Sequence, residues 1–560
     1  MPGLDTPAGA GTHQGSVPRP APVPGCPLAD LAALLGLAER PAGVVTGVTH
    51  ASDAVRPGDL YAALAGQRRH GAEFAAAAAA AGATAVLTDP AGAAMIAGAG
   101  LRLPVLVTGD PRGRLGEVAA RVYGDPTARL PVIGITGTAG KTSTAYLVDA
   151  GLRAAGHHPA LLGTVETRLG DLVIDSVRTT PEATDLQALL AVAEQRGVGA
   201  VVMEVSSHAL ALGRVSGVRF AVGAYTNFGQ DHLDFHADEA DYFAAKARLF
   251  DGRCRVEVLN HDDPALAPLR RPGTVTCSAA GDPAATWRAE EIRPGRFPDQ
   301  DAADPGSDAG ELGSDAGELG SKAGELGPEA SELGPEAGDP GFSQRFTAVG
   351  PAGAVPAGVA QPGRHSVANA LLAIAALVAI GVDPAVAAAG VAGGRDVPGR
   401  LERVGGDGGV LGVVDYAHKP DAVVAVLATL RSVARARGGR LICVIGAGGD
   451  RDAGKRAPMG AAAAQGADLV LVTDDNPRSE DPAAIRAQVL AGARAAAGGE
   501  VREVAGRRTA IEVAVARAAP ADVVAVLGKG HERGQEVAGR TYPFDDRTVL
   551  AEALQAVGVP

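Results

Sequence analysis

The sequence predicts an α/β protein of three domains, and three features of it lead there. At 560 residues the chain has room for three or four domains of roughly 150 residues each. Short apolar strands alternate with Ala-rich helical stretches, the pattern of parallel sheets covered by helices. Several of these strands run straight into Gly-rich or acidic turns, the place where open α/β sheets collect ligands. The expected architecture is a small α/β N-terminal domain, a central P-loop mononucleotide-binding sheet and a C-terminal Rossmann-like doubly wound sheet.

Composition narrows the classes of function. Apolar residues make up 46% and aromatics only 3%, so the core must be built from Val, Leu, Ile and Ala. The richest apolar stretch, Leu371 to Val382, is too short to span a bilayer, and no membrane insertion is expected. Four cysteines (Cys26, Cys254, Cys277, Cys443) show no CxxC spacing, which suggests neither a zinc site nor a disulfide framework. Residues 1–25 are rich in Pro and Gly and lack the basic-then-apolar order of a secretory signal. They are expected to be a disordered leader, and the protein to be cytoplasmic. The net charge of −13 is local: Pro298 to Pro340 holds twelve Asp and Glu against one Lys, or −11, which leaves −2 elsewhere. No basic stripe points to nucleic acid.

Along the chain, residues 26–125 form the first expected domain. It has a strand at Gly43–Val48, a helix through Glu73–Ala81, and strands at Thr84–Leu87 and Val105–Val107. The second, 126–398, opens with the apolar strand Val132–Ile135, a Gly-rich turn and a helix over Thr142–Ala155. Inside it lies an acidic insertion, 298–342, carrying the degenerate repeat GSDAGEL, GSDAGEL, GSKAGEL, GPEASEL. Leu returns every seventh residue, but a coiled coil needs two apolar positions per heptad, and every unit contains Gly or Pro. Low hydrophobicity with concentrated charge predicts a disordered insertion. The third domain, 399–560, contains strands Leu441–Ile445, Leu469–Val472 and Val523–Leu527, which end in GAGGDRD, TDDNPR and GKGHE.

The strongest local motif is Gly137-Thr138-Ala139-Gly140-Lys141-Thr142-Ser143. Backbone N–H groups in such a turn, at a helix N-terminus, can wrap phosphate oxygens. Lys141 then supplies charge to the β/γ-phosphates and the Thr142 hydroxyl can reach Mg²⁺. The strict Walker spacing is not met, since five residues separate Gly134 from Gly140. Glu204 closes the apolar strand Ala200–Met203, where either a Mg²⁺ ligand or an ordinary strand-end carboxylate belongs. Ser206, Ser207 and His208 follow at the same rim. Asp231, His232, Asp234 and His236 form a polar cluster after the strand Ala221–Thr226. Lys246 follows in an apolar helix, where a lone Lys is usually a solvated charge.

Eight stretches in order, GTAGKTS, TTPEATDLQ (Thr179–Gln187), MEVSSHAL, DHLDFH with AAKARLF, DYAHKPDA (Asp415–Ala422), GDRD, DNPR and GKGHE, resemble the Mur ligase family. The resemblance runs from about residue 27 to 557, interrupted by the insertion. Within the family it points to members that join meso-diaminopimelate to UDP-N-acetylmuramoyl-L-alanyl-D-glutamate. It implies ATP and Mg²⁺ as cofactors, three domains and a monomer. It implies that Ser52 contacts the nucleotide end of the substrate, and that Thr179, Thr180, Ser206 and Arg214 grip the UDP-peptide. It implies that Lys246 carries a carbamate and that Glu204, His232, Thr142 and the modified Lys246 position Mg²⁺.

For the amino acid, the resemblance implies contacts from Arg451, Asp475, Asn476, Pro477, Arg478, Gly528 and Glu532. The chemistry agrees, because the distal carbon of meso-diaminopimelate carries both a carboxylate and an ammonium. Arg478 can offer a bidentate fork to the first, while Asp475 or Glu532 takes the second. Two departures stand out: His365 and Ser366 replace a usual Phe and Asn, and Leu212 replaces a frequent Gln. The mechanism implied is phosphorylation of the D-glutamyl γ-carboxylate followed by amine attack, with closure of the domains. Rival readings are lysine addition, folate polyglutamylation and a non-catalytic nucleotide-binding scaffold. DNPR argues against lysine, and an intact phosphate loop with Glu204, His232 and Lys246 argues against the scaffold.

Overall fold

The computed structural model describes residues 17–295, 297, 342–394, 396–405 and 409–558. These divide into two compact units, one of residues up to 277 with 375–382, the other of 278–374 with 383 onward. Two units are a coarser division than the three expected domains. In the first unit, a shared core joins parts of the expected first and second domains. Leu28, Leu31, Val48 and Leu60 of the N-terminal sheet region pack in one cluster with Ala183, Ala188 and Ala191 of the helix Ala183–Gln195.

In the first unit, a four-stranded parallel sheet runs in the order Gly47–Thr49, Asp59–Ala63, Ala85–Thr88, Val105–Val107. The single strand expected at Gly43–Val48 is two. Val44–Val45 pairs antiparallel with Cys26–Pro27, and Gly47–Thr49 enters the sheet. The helix expected from Glu73 begins as a 3₁₀ turn, Gly71–Phe74, capped by His70, before the α-helix Ala75–Ala80. Residues 17–25, inside the expected leader, are already placed. Arg19 pairs with the buried Asp59 at 2.7 Å, and the Ala21 N–H donates to Gln195 Oε1 at 3.1 Å. One arginine on a buried carboxylate anchors a stretch whose composition alone reads as disordered. The remainder of the leader lies outside the described residues.

The same unit holds a larger sheet. Its parallel strands are ordered Pro159–Leu162, Ala200–Glu204, Val132–Thr136, Phe220–Tyr225, Cys254–Asn260, Val275–Ser278. Thr167–Leu169 and Leu172–Ile174 add antiparallel strands at one edge. Val132–Thr136 and Ala200–Glu204 are buried at every residue, which is why both read as unbroken apolar runs. Each fully buried Val, Leu or Ile side chain contributes on the order of 1.5–3 kcal/mol. The helix Lys141–Ala154, within one residue of the expected span, packs against both strands.

In the second unit, Trp287–Pro294, Gln344–Gly350 and Gly353–Val359 form an antiparallel meander. Its first two strands are paired as far as Pro294 opposite Gln344. Of the expected acidic insertion, 298–342, only Phe342 lies among the described residues. A six-stranded sheet follows, in the order Glu402–Val404, Leu411–Asp415, Val523–Leu527, Leu441–Ile445, Leu469–Val472, Glu500–Glu503. All but the first strand are parallel. Among the described residues, no helix is long and apolar enough to cross a membrane.

Candidate active site

Two clusters carry the expected chemistry, one in each unit. In the first, Val132–Thr136 delivers the chain into the loop at Gly137, whose φ is +145°, and Gly140 (φ +83°) caps the helix Lys141–Ala154. A Cβ at Gly137 would lie 1.9 Å from Thr226 Oγ1, so only glycine closes this turn against the neighbouring strand. The loop is held from outside. The Thr138 N–H donates to the Asn227 carbonyl (2.8 Å), the Ala139 N–H to Asn227 Oδ1 (3.0 Å), and Thr226 Oγ1 to the Ala139 carbonyl (2.5 Å). The first-turn N–H groups of the helix have no intrahelical acceptor and aim at the loop's concave side, together with the positive end of the helix dipole. Lys141 Nζ reaches back to the carbonyls of Gly137 (2.8 Å) and Thr138 (3.1 Å), placing its charge over the loop. Loop, helix end and lysine together fit a polyphosphate chain.

Glu204 is 1% exposed and is surrounded by hydroxyl and amide donors. Its Oε2 accepts from Thr142 Oγ1 (3.0 Å) and Thr164 Oγ1 (3.2 Å), and its Oε1 from the Thr164 N–H (2.8 Å). A hard cation such as Mg²⁺ takes oxygen ligands, and the Thr142 hydroxyl beside the Glu204 carboxylate is such a pair. Among the described residues, no three His, Cys, Asp or Glu side chains gather into a metal site on their own. The expected set depends instead on a hydroxyl and on a chemically altered lysine.

That lysine, Lys246, is 1% exposed on the helix Glu239–Ala247. Its Nζ donates to the Gly137 carbonyl at 2.7 Å and lies 4.7 Å over the Tyr242 ring. The solvated charge usual for a lone helix Lys is therefore not what is found. Tyr242, one turn earlier, shares a hydrogen bond of 3.2 Å with the Thr138 hydroxyl, and burial pushes its phenol above the ordinary range. His232 adopts φ +52° and meets Tyr242 and His208 edge-on, with centroids 5.9 and 4.8 Å apart. His208 stacks on Phe235 at 4.1 Å; burial, then the neighbouring His236, lower its pKa. As an ammonium Lys246 cannot ligate a cation; as a carbamate it would present anionic oxygens.

The expected UDP-peptide contacts lie in the same unit. Thr164 joins Thr179 to the Glu204 cluster, their hydroxyls 2.9 Å apart. Thr180 Oγ1 donates to the Glu204 carbonyl (2.9 Å) and accepts the Ser206 N–H (3.1 Å), while Ser206 caps the short helix Ser207–Ala211. Arg214 forms an ion pair with Glu182 at 2.8 Å and donates to the Thr180 carbonyl at 3.4 Å. Ser52 opens the 3₁₀ turn Ser52–Ala54, just beyond the strand Gly47–Thr49. Leu212 follows the helix Ser207–Ala211 as its C-cap.

In the second unit, Ile445 pairs with both Val472 and Leu527, so the turns after these three strands emerge side by side. The turns are tied together by their own groups. The Gly449 N–H donates to the Asn476 carbonyl (2.9 Å), Arg478 Nη1 to the Gly449 carbonyl (2.7 Å), and Ser479 Oγ to Asp450 (2.7 Å). Arg451 is exposed, and the buried Arg456 clamps Glu480 with two bonds of 2.8 and 2.9 Å. Asn476 Nδ2 donates to Glu532 Oε2 (2.8 Å), and Gln535 Nε2 to the Asp475 carbonyl (2.6 Å). Pro477 is buried between Asn476 and Arg478. At Gly528 (φ +118°) a Cβ would come within 2.6 Å of Asp475 Oδ2. Arg478 does not present a free fork: Nε pairs with Glu536 at 3.2 Å and Nη1 serves Gly449. Its backbone is held at φ +52° by the strand Gly534–Val537.

Thr164, Asn227 and Tyr242 escaped the sequence reading, as did Lys529, Arg456 and the buried pair of Arg507 with Asp546 (2.6 Å). Arg456 and Lys529 carried a signal, a charged residue at the margin of an otherwise Ala-rich or apolar run. Thr164 and Asn227 carried none, since small polar residues after strands are common. Of the departures, Ser366 is buried and donates to the Pro362 carbonyl at 2.9 Å, a local helix-start bond, whereas His365 is exposed.

Comparison with known proteins identifies the family. Residues 44–123 match the catalytic domain of the Mur ligase family, 135–298 the Mur ligase middle domain, and 399–530 the Mur ligase glutamate ligase domain. The chain is 50% identical, over 96% of its length and 98% of the relative's, to UDP-N-acetylmuramoyl-L-alanyl-D-glutamate--2,6-diaminopimelate ligase of Streptomyces avermitilis. A protein of the same name from Corynebacterium efficiens is 46% identical over 89% of this chain and 87% of its own. A solved structure bearing that name superposes with a TM-score of 0.62 at 29% identity, covering 93% of this chain and 97% of the other.

Proposed function

Because the chain belongs to the Mur ligase family, we propose that it joins meso-diaminopimelate to the γ-carboxylate of the D-glutamyl residue of UDP-N-acetylmuramoyl-L-alanyl-D-glutamate. It is an ATP-dependent, amide-forming ligase of peptidoglycan precursor synthesis. The observation that carries the choice of amino acid is the convergence of Asp475, Asn476, Arg478 and Glu532 at one end of the C-terminal sheet. Anionic and cationic groups stand together there, which suits a substrate end bearing both charges.

The γ-carboxylate attacks the terminal phosphoryl group of ATP, ADP leaves, and an acyl phosphate results. The amine then adds to the acyl carbon, gives up a proton, and inorganic phosphate departs as the amide forms. Lys141 and the loop amides hold the phosphates and offset charge as it shifts. Thr142 and Glu204 are the residues suited to Mg²⁺, with His232 and a carbamylated Lys246 as further candidates; the ion, when bound, neutralises phosphate charge. Thr179, Thr180, Ser206 and Arg214 position the peptide, and Ser52 the nucleotide end.

The test is phosphate release from ATP in the presence of the UDP-dipeptide, with meso-diaminopimelate and L-lysine offered in parallel. Release with diaminopimelate alone is expected. Release with lysine would overturn the role given to Arg478, and silence with both would overturn the reading itself.

A further inference from the structure

Lys529 is 0% exposed, and its ammonium lies in the middle of the amino-acid cluster. Nζ donates to Asn476 Oδ1 at 2.9 Å and to Glu532 Oε2 at 3.2 Å. Asn476 Oδ1 also accepts the Glu536 N–H at 3.0 Å, while Asn476 Nδ2 donates to Glu532 at 2.8 Å. The two donors at Oδ1 settle which way the amide faces, since a flipped Asn476 would set its NH₂ against an ammonium and an N–H. The same lysine offsets the charge of Glu532.

From this we infer that Lys529 is a positioning residue of the amino-acid site: it fixes the amide of Asn476 and neutralises Glu532, leaving Asp475 as the carboxylate for the substrate's distal ammonium. The inference rests on the diaminopimelate reading above. Asp475 fits the part. It borders the Gly528 turn at a distance no Cβ would allow, and the arginine that pairs with it, Arg507 at 3.9 Å, is already committed to Asp546. Without Lys529 the buried Asn476 loses one of the two donors at Oδ1, and Glu532, its side chain 34% exposed, loses its cation. Loss of Lys529 should therefore disturb Glu532 and Asn476 together while leaving the phosphate loop, in the other unit, untouched.

The experiment measures KM for meso-diaminopimelate, ATP and the UDP-dipeptide in the full chain and in Lys529→Met and Lys529→Arg, with the melting temperature of each. Lys529→Met should raise KM for diaminopimelate at least about tenfold while the other two stay within about twofold. Lys529→Arg, which keeps the charge on a different geometry, should recover part of the loss and stands in if the Met variant fails to fold. An unchanged diaminopimelate KM in a folded Lys529→Met would overturn the inference. So would a parallel rise of all three constants with a fall in melting temperature and no recovery in Lys529→Arg, which marks a scaffold role only. A wild-type enzyme that turns over lysine but not diaminopimelate would defeat the parent reading, a result distinct from either.

Discussion

The phosphate loop and the amino-acid cluster solve their recognition problems with different materials. The loop is mostly backbone: two glycines at positive φ, a helix start, and neighbours that brace carbonyls and N–H groups. The amino-acid end is mostly side chains already engaged with one another, with Arg478 on Glu536, Lys529 on Glu532 and Arg456 on Glu480. A backbone cradle binds what every ATP shares, and changing one side chain alters it little unless that side chain is the lysine. A cluster of paired charges reads one particular substrate, and each member is a point at which specificity can be altered.

The sharpest way to break this contrast is Lys141→Ala, which takes from the motif GTAGKTS its one charged side chain. Phosphate release with diaminopimelate should fall by at least about 10³-fold, the order seen when a phosphoryl-transfer cation is lost. Near-normal turnover would show that backbone alone suffices. A smaller and more selective effect is expected from Arg478→Lys, which keeps the charge but cannot hold Glu536 and the Gly449 carbonyl together. KM for diaminopimelate should rise roughly 10- to 100-fold while KM for ATP holds, as read from initial rates against each substrate. An equal rise in both would deny that the amino-acid end acts separately.

The smallest expected effect concerns the underside of the same cluster. Burial, with Lys455, Lys419 and Arg400 nearby, lowers the His418 pKa to about 4, although Nδ1 hydrogen-bonds the Tyr416 carbonyl. The unfolded chain holds this proton at about pH 6.5 and the folded one does not. Stability should therefore be full above pH 6.5, fall as pH drops toward 4, and level off below. Thermal melts across that window should show the slope, and His418→Gln should flatten it; an identical slope in the variant would assign it to other groups.

Legibility in the sequence followed the same divide. The phosphate loop, the strand ending in Glu204 and the three turns of the C-terminal sheet could be read because each is local, a strand, a turn and a helix in a row. The strand Asp59–Ala63, the hold of Asn227 on Ala139, and the partners of Arg478 could not. Their residues are brought together by pairing across the fold, from as many as 88 positions away in the case of Asn227. Three of the seven non-glycine residues at positive φ among those described, His232, Asp450 and Arg478, sit in the two clusters, and residue type alone does not announce it. Strain of this kind belongs to sites whose surroundings fix it, and so becomes visible only once those surroundings are assembled. The leader shows the reverse error: composition gave disorder to residue 25, yet Arg19 finds Asp59.

The pairing of Pro294 with Gln344 bears on how this protein tolerates change in length. The chain departs and returns on adjacent rungs of one hairpin, so the join is made by the strands and not by what lies between them. For flexible connections in general, doubling the length adds only about 0.6 kcal/mol of closure entropy. A hairpin closed by its own strand pairing is a natural graft point, and the sequence from Pro298 to Pro340 carries −11 of the chain's net −13.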